Sequence, residues 1–225
     1  MDLSIIVPAF NEETSIAEVL NRVLILSFDG LDWEVVVVDD GSFDKTAKIL
    51  NGFSKNARLK ILTHEKNQGK GAALRTGLKG STGGIVAFQD SDLEYDPRQL
   101  PALVREVQEG ADVVYGSRFL GRVENMTFLF YFGNKILSLC TGLIYGAKVS
   151  DMETGFKIFR REVLDGVVLE SRGFDIEPEI TAKILKKGVK IKEVPIDYKA
   201  RAKAHKKITV GDGVTALYTL FKYRF

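Results

Sequence analysis

Short apolar runs alternate with amphipathic stretches through the first half of the chain. Residues 3–7, 34–38, 59–63, 84–88 and 112–115 read as strands. The second is β-branched and fully apolar from Val35, the pattern of a strand covered on both faces. Between them, a stretch from about Glu12 puts Ile16, Val19, Leu20, Val23 and Leu24 on one helical face. Residues 46–53, 71–79 and 97–108 complete the expected helices. Strands separated by helices of about ten residues predict βαβ units and a parallel sheet, with ligands beyond the carboxyl ends of the strands.

Polar and turn residues gather at those ends. Pro8-Ala9-Phe10-Asn11-Glu12-Glu13 follows the first strand and Asp39-Asp40-Gly41-Ser42 the second. Lys66-Asn67-Gln68-Gly69-Lys70-Gly71 follows the third, and Asp90-Ser91-Asp92 the fourth. Two carboxylates at i and i+2 supply hard oxygen ligands, which suit Mg²⁺ or Mn²⁺ holding phosphates. Alone the triplet reads equally well as a capping turn before Pro97. Four polar loops on one rim describe a site. No GxGxxG fingerprint is present, and Gly69-Lys70-Gly71 lacks the features of a phosphate loop, which weighs against hydride transfer and ATP hydrolysis.

At 225 residues and 45% hydrophobic, the chain is expected to bury a substantial core. One cysteine, Cys140, excludes an internal disulfide and is expected to be a buried spectator in a reducing compartment. His64 and His205 lack zinc spacing. The first strand starts at residue 3, and no uninterrupted apolar run reaches about 18 residues, so the chain reads as cytosolic. Net charge is +2, unevenly spread: residues 183–225 hold 12 Lys/Arg against three acidic residues, or +9, leaving −7 for the rest. A basic end suggests an anionic partner, though a charge run by itself is better read as a solvated helix and loop. Nucleic-acid binding lacks any recognised module and is not expected.

The ordered set Ile6-Val7-Pro8-Ala9-Phe10-Asn11-Glu12-Glu13, Val38-Asp39-Asp40-Gly41-Ser42, Asn67-Gln68-Gly69-Lys70-Gly71 and Asp90-Ser91-Asp92 resembles the family 2 glycosyltransferases of GT-A fold. The similarity continues through Gly116-Ser117-Arg118, Asp151-Met152-Glu153-Thr154-Gly155-Phe156-Lys157, Glu177-Pro178-Glu179-Ile180 and Glu193-Val194-Pro195-Ile196. Within the family it is most similar to the dolichol-phosphate mannose synthase group of polyprenyl-phosphate hexosyltransferases. The resemblance implies an α/β domain over residues 1–200 with a mostly parallel central sheet flanked by helices. A basic, aromatic amphipathic extension would occupy residues 201–225.

It further implies that Pro8, Phe10, Glu12, Asp39 and Asp40 line the donor nucleotide, with Lys70 near its phosphates. Asp90 and Asp92 would act through the cation, with Glu94 as third ligand where the group often has Gln. Arg118 and Arg201, the latter near Lys203, Lys206 and Lys207, would hold a lipid phosphate. Arg75 reads as a phosphate contact or an ordinary surface charge, and Glu153 as a base, a hexose contact or a helix-start carboxylate. The implied reaction is inverting transfer of mannose or glucose from GDP-mannose or UDP-glucose to a polyprenyl phosphate, at the cytosolic face of a membrane. A soluble or glycan acceptor is the alternative, and a non-catalytic nucleotide-sugar-binding subunit a second. Residues 126–144, broken by Asn134, Lys135 and Ser138, fit an interfacial or a buried helix rather than a span. The aromatic and basic tail 214–225 fits peripheral membrane attachment or an edge helix closing the fold.

Overall fold

The computed structural model describes residues 1–201 and 210–225. β1 (Leu3–Ala9) is buried at every position, and β2 (Trp33–Asp39) at all but Glu34, as expected of strands covered on both faces. They pair in parallel with each other. β3 (Leu59–Thr63) extends the sheet beyond β2, and β4 (Ile85–Phe88) pairs in parallel on the other side of β1. The connecting helices are α1 (Ile16–Leu24), α2 (Thr46–Gly52) and α3 (Lys70–Gly80). The expected helix over 97–108 is a 3-10 turn, Pro97–Gln99, running into α4 (Leu100–Gln108). Pro97 and Pro101 lack the N–H that regular helix would use, so prolines sit at the first positions of both pieces.

The second half inserts where the sequence reading predicted little. β5 (Val113–Ser117) is followed by β6 (Val123–Glu124), α5 (Phe128–Tyr145), β7 (Lys157–Arg160), α6 (Arg161–Leu164), α7 (Ile176–Lys186), β8 (Ile191–Pro195), β9 (Tyr198–Lys199) and α8 (Val210–Arg224). The main sheet runs β3-β2-β1-β4-β7-β5-β8, and β6 pairs with β9 in a separate ladder. β7 is antiparallel to both neighbours, so the sheet is mostly parallel rather than wholly so. One core layer packs under α1 and α4; the other lies beneath α3 and α7 and holds Leu220 of α8.

α5 is 18 residues long with mean hydropathy 1.3, and only 11% of it is buried. By length and composition it is apolar enough to cross a membrane, contrary to the expectation from its polar interruptions. Those polar groups are absorbed by its own backbone: Asn134 Nδ2 donates to Phe130 O, Ser138 Oγ to Asn134 O and Thr141 Oγ1 to Leu137 O. One side packs on α7 and α8. The outward stripe Phe128, Phe132, Ile136, Leu139 and Leu143 is exposed, at i, i+4, i+8, i+11 and i+15. α8 buries Ala216, Thr219 and Leu220 and exposes Val214, Tyr218 and Phe221, with the exposed Phe225 following it. Cys140 is half-buried on α5 rather than buried, because the helix packs by only one side. Trp33 packs in the core against Phe28.

Candidate active site

The carboxyl ends of β1, β2 and β4 converge on one cavity of about 700 Å³. Beyond β4, Gln89 is fully buried and donates to the carbonyls of Asp90 and Tyr95, a structural role that shapes the acidic turn. Asp92 Oδ1 accepts from the Glu94 backbone N–H at 3.0 Å. Asp90 lies against Gly155, where a Cβ would come within 2.3 Å of Asp90 Oδ2. Gly155 N–H in turn donates to the buried Tyr95 hydroxyl. A backbone without side chain is therefore what admits the Asp90 carboxylate.

Two cations of the chain sit on these carboxylates. Lys70, at the start of α3, places Nζ 2.7 Å from Asp90 Oδ1 and 2.9 Å from Glu177 Oε1. Burial alone would lower its pKa, but the charges of Asp90 and Glu177 outweigh it and hold the ammonium charged. Arg201 places Nη2 2.7 Å from Asp92 Oδ2, and Nη1 donates to Glu12 Oε1 at 3.0 Å. Asp92 is pushed up to about 7 by burial and by the neighbouring Asp90, against the pull of Arg201.

The expected nucleotide loops are cross-braced. Asn11 adopts a positive φ of 51°, tolerated by Asn. Its N–H donates to Ser42 Oγ, and its Oδ1 accepts from Phe43 N–H. Pro8, Phe10, Glu12 and Asp40 line the cavity. Asp40 accepts from the backbone N–H groups of Gln68 and Gly69 and pairs with His64, which fixes the loop leading into Lys70. Asp39 does not line the cavity; its carboxylate turns back to accept from Ser42 N–H. Arg75 donates to Ser171 O, a structural contact.

Glu94 lines the cavity, but both its oxygens are committed: Oε2 accepts from the Tyr198 hydroxyl at 2.6 Å and Oε1 from Arg201 N–H at 2.7 Å. Among the described residues no three carboxylate, imidazole or thiol groups converge as a metal cage. Asp90 and Asp92 nonetheless fit a hard cation that takes one or two carboxylates and completes its shell with phosphate and water.

Arg118, at the end of β5, is gripped by Asp151 and also donates to Asn134 Oδ1. Glu153 lines the cavity with Oε1 buried and without a hydrogen-bond partner, and burial pushes its carboxyl up to about 7. Lys203, Lys206 and Lys207 lie outside the described residues. Sequence reasoning missed the chain Asp90–Lys70–Glu177–Lys157, in which the fully buried Lys157 caps the carbonyls of Met152 and Thr154. The stretches holding Glu177 and Lys157 were visible as motifs; their pairing, 20 residues apart, was not.

A mostly parallel sheet with one antiparallel strand beside the acidic turn, and a nucleotide-sized cavity on its rim, is the architecture of the GT-A glycosyltransferases. Among solved structures, glucosyl-3-phosphoglycerate synthase of Mycobacterium tuberculosis with Mn²⁺, UDP and phosphoglyceric acid superposes with a TM-score of 0.75. That match covers 99% of this chain and 78% of the other at 22% identity, and so speaks for the fold. The family model for glycosyl transferase family 2 matches residues 4–168, and the chain belongs to that family. It is 32% identical to the dolichol-phosphate mannosyltransferase of Pyrococcus furiosus over 99% of its own length, spanning 64% of that protein. It is also 32% identical to the low-salt glycan biosynthesis hexosyltransferase Agl6 of Haloferax volcanii, with 88% of this chain and 48% of that one covered.

Proposed function

We propose that this chain transfers a hexose, mannose or glucose, from GDP-mannose or UDP-glucose to a polyprenyl phosphate at a membrane surface. The observation that carries the reading is the continuity of its cavity. Asp90 and Asp92 share its lining with Met126, with Leu129 and Phe130 of α5, and with Val214 and Leu217 of α8. An acidic, cation-holding floor that opens onto an apolar wall suits a donor diphosphate meeting a phosphate on a hydrocarbon chain. The dolichol-phosphate relative supports the same acceptor class.

Asp90 and Asp92 would hold Mg²⁺ or Mn²⁺, which supplies Lewis-acid neutralisation of the leaving nucleoside diphosphate. Phe10 and Glu12 would orient the nucleoside, and Lys70 would keep the Asp90 carboxylate in place. An acceptor phosphate is already ionised at neutral pH, so the chain's task is positioning rather than deprotonation. Arg118 is the cavity's guanidinium for that task, while Arg201 stands at the donor end on Asp92 and Glu12. α8 and the outer stripe of α5 would rest peripherally on the membrane, facing the cytosol, through exposed apolar side chains with Lys135, Lys222 and Arg224 among them.

A soluble or glycan hydroxyl acceptor is the second reading, favoured by Glu153. A carboxyl poised near 7 on a residue that lines the cavity is suited to take a hydroxyl proton.

The purified chain, incubated with Mn²⁺, each nucleotide sugar and polyprenyl phosphate, should form lipid-linked hexose that disappears with EDTA and with Asp92→Ala. Donor binding and hydrolysis without transfer to lipid would overturn the lipid-phosphate acceptor in favour of the hydroxyl one.

A further inference from the structure

Arg201 occupies one of the two oxygens that Asp92 could offer a cation, and the other already accepts from Glu94 N–H. Its Nη2 stands 2.7 Å from Asp92 Oδ2, and its Nη1 3.0 Å and 3.2 Å from the two Glu12 oxygens. A divalent cation bound at about 2.1 Å from that Asp92 oxygen could not share it with a guanidinium on the same side. The local charge is balanced for an exchange. Among the described residues, Glu12, Asp90, Asp92, Glu94 and Glu177 carry five formal negative charges against Lys70, Lys157 and Arg201, leaving −2, the charge one divalent ion cancels.

Arg201 is also imperfectly held where it stands. Its Nε is buried without a hydrogen-bond partner, and the nearest Glu94 oxygen is 3.7 Å away. Its backbone, by contrast, is fixed by Glu94 Oε1 at 2.7 Å. The side chain is therefore free to change partners about an anchored main chain. Once a cation neutralises the carboxylates, the guanidinium is better placed on phosphate oxygens, which offer the same bidentate geometry with more charge.

We propose that Arg201 is a resident counter-ion of the acidic site: it competes with the divalent cation for Asp92 in the empty enzyme and passes to the donor's diphosphate when cation and nucleotide load together. The exchange couples the two ligands, because the cation frees the arginine that the diphosphate then takes up. The inference rests on the reading of Asp90 and Asp92 as the cation site, and is independent of which acceptor is used.

The test measures Mn²⁺ binding to the whole chain at pH 8, from the free-ion signal in electron paramagnetic resonance, with and without saturating UDP. Without UDP, Arg201→Gln should bind Mn²⁺ about tenfold more tightly than the parent, since one competing charge at contact distance is gone. With UDP the order should level or reverse, because the variant has lost a diphosphate contact. Arg201→Lys, which keeps the charge, should fall between them without UDP. Circular dichroism and the melting temperature establish that the variants are folded. Weaker Mn²⁺ binding by folded Arg201→Gln without UDP, or the same ratio with and without UDP, would overturn the exchange. If the parent and Asp92→Ala bind Mn²⁺ alike, the cation site itself fails and the exchange with it, while hexose transfer to lipid remains a separate measurement.

Discussion

Asp151 holds Arg118 from three directions: Oδ2 accepts from Nε at 2.7 Å and from the Arg118 backbone N–H at 2.9 Å, and Oδ1 accepts from Nη2 at 2.6 Å. The Asp151 side chain is fully buried and that of Arg118 is 7% exposed. Removing one partner of such a pair leaves the other's charge buried and unpaired. Asp151→Ala should therefore cost about 3–5 kcal/mol of stability, read as a lower midpoint in urea. A loss under about 1 kcal/mol would mean that water reaches the guanidinium.

Gly155 gives a sharper handle on the acidic turn. A Cβ there would meet Asp90 Oδ2 at 2.3 Å and Asp90 Cγ at 3.1 Å, so Gly155→Ala must displace the carboxylate. Displacement of a group that positions reacting atoms by about 1 Å costs about 10²-fold. The expected result is a fall of that order in kcat/KM with an unchanged circular dichroism spectrum. Full activity would show that Asp90 does not act from this position.

Glu153 makes stability depend on pH. Its carboxyl rises from 4.5 to about 7, through burial first, with Glu177 and Asp151 adding to it against Lys157 and Arg118. Between those values the folded state binds more protons than the unfolded chain, so stability falls as pH rises through this window, and the cost is complete above 7. Glu153→Gln removes the charge at constant shape. The variant should be more stable than the parent by about 3 kcal/mol at pH 8 and equal to it near pH 4. Denaturant midpoints at the two pH values check the sign. A variant less stable at pH 8 would mean the ionised carboxylate is favourably paired there.

The first four strands and their polar ends were legible because each strand is apolar by itself and each loop carries its own turn residues. Residues 59–63 coincide with β3, and the acidic turn lies on the rim where the strand order placed it. β7 escaped because it has four residues, begins with Lys157 and ends with Arg160. A lysine that begins a core strand needs its charge paired there, and its carboxylate partner Glu177 is supplied by tertiary packing. Asp39 and Asp40 were equivalent as sequence. Only the fold separates them, one carboxylate turned to Ser42 and the other bridging the β3–α3 loop. Glu94 illustrates the same limit, since its spacing from Asp92 suits a ligand while its oxygens hold Tyr198 and Arg201.

The outer faces of α5 and α8 carry the last prediction. The two helices pack together, and exposed apolar side chains recur along each, Leu139 at 63% and Leu143 at 77% among them. Each fully buried leucine is worth about 1.5–3 kcal/mol. Leu139→Glu with Leu143→Glu should therefore reduce partition onto anionic phospholipid vesicles more than tenfold. The positions point away from the core, so the melting temperature should stay within a few degrees. If the stripe seats the chain on lipid, transfer to a long polyprenyl phosphate in vesicles should fall in parallel, while transfer to a short, water-soluble analogue persists. Equal losses on both acceptors would place the effect inside the cavity. Unchanged vesicle partition would show that some other surface, or none, meets the membrane.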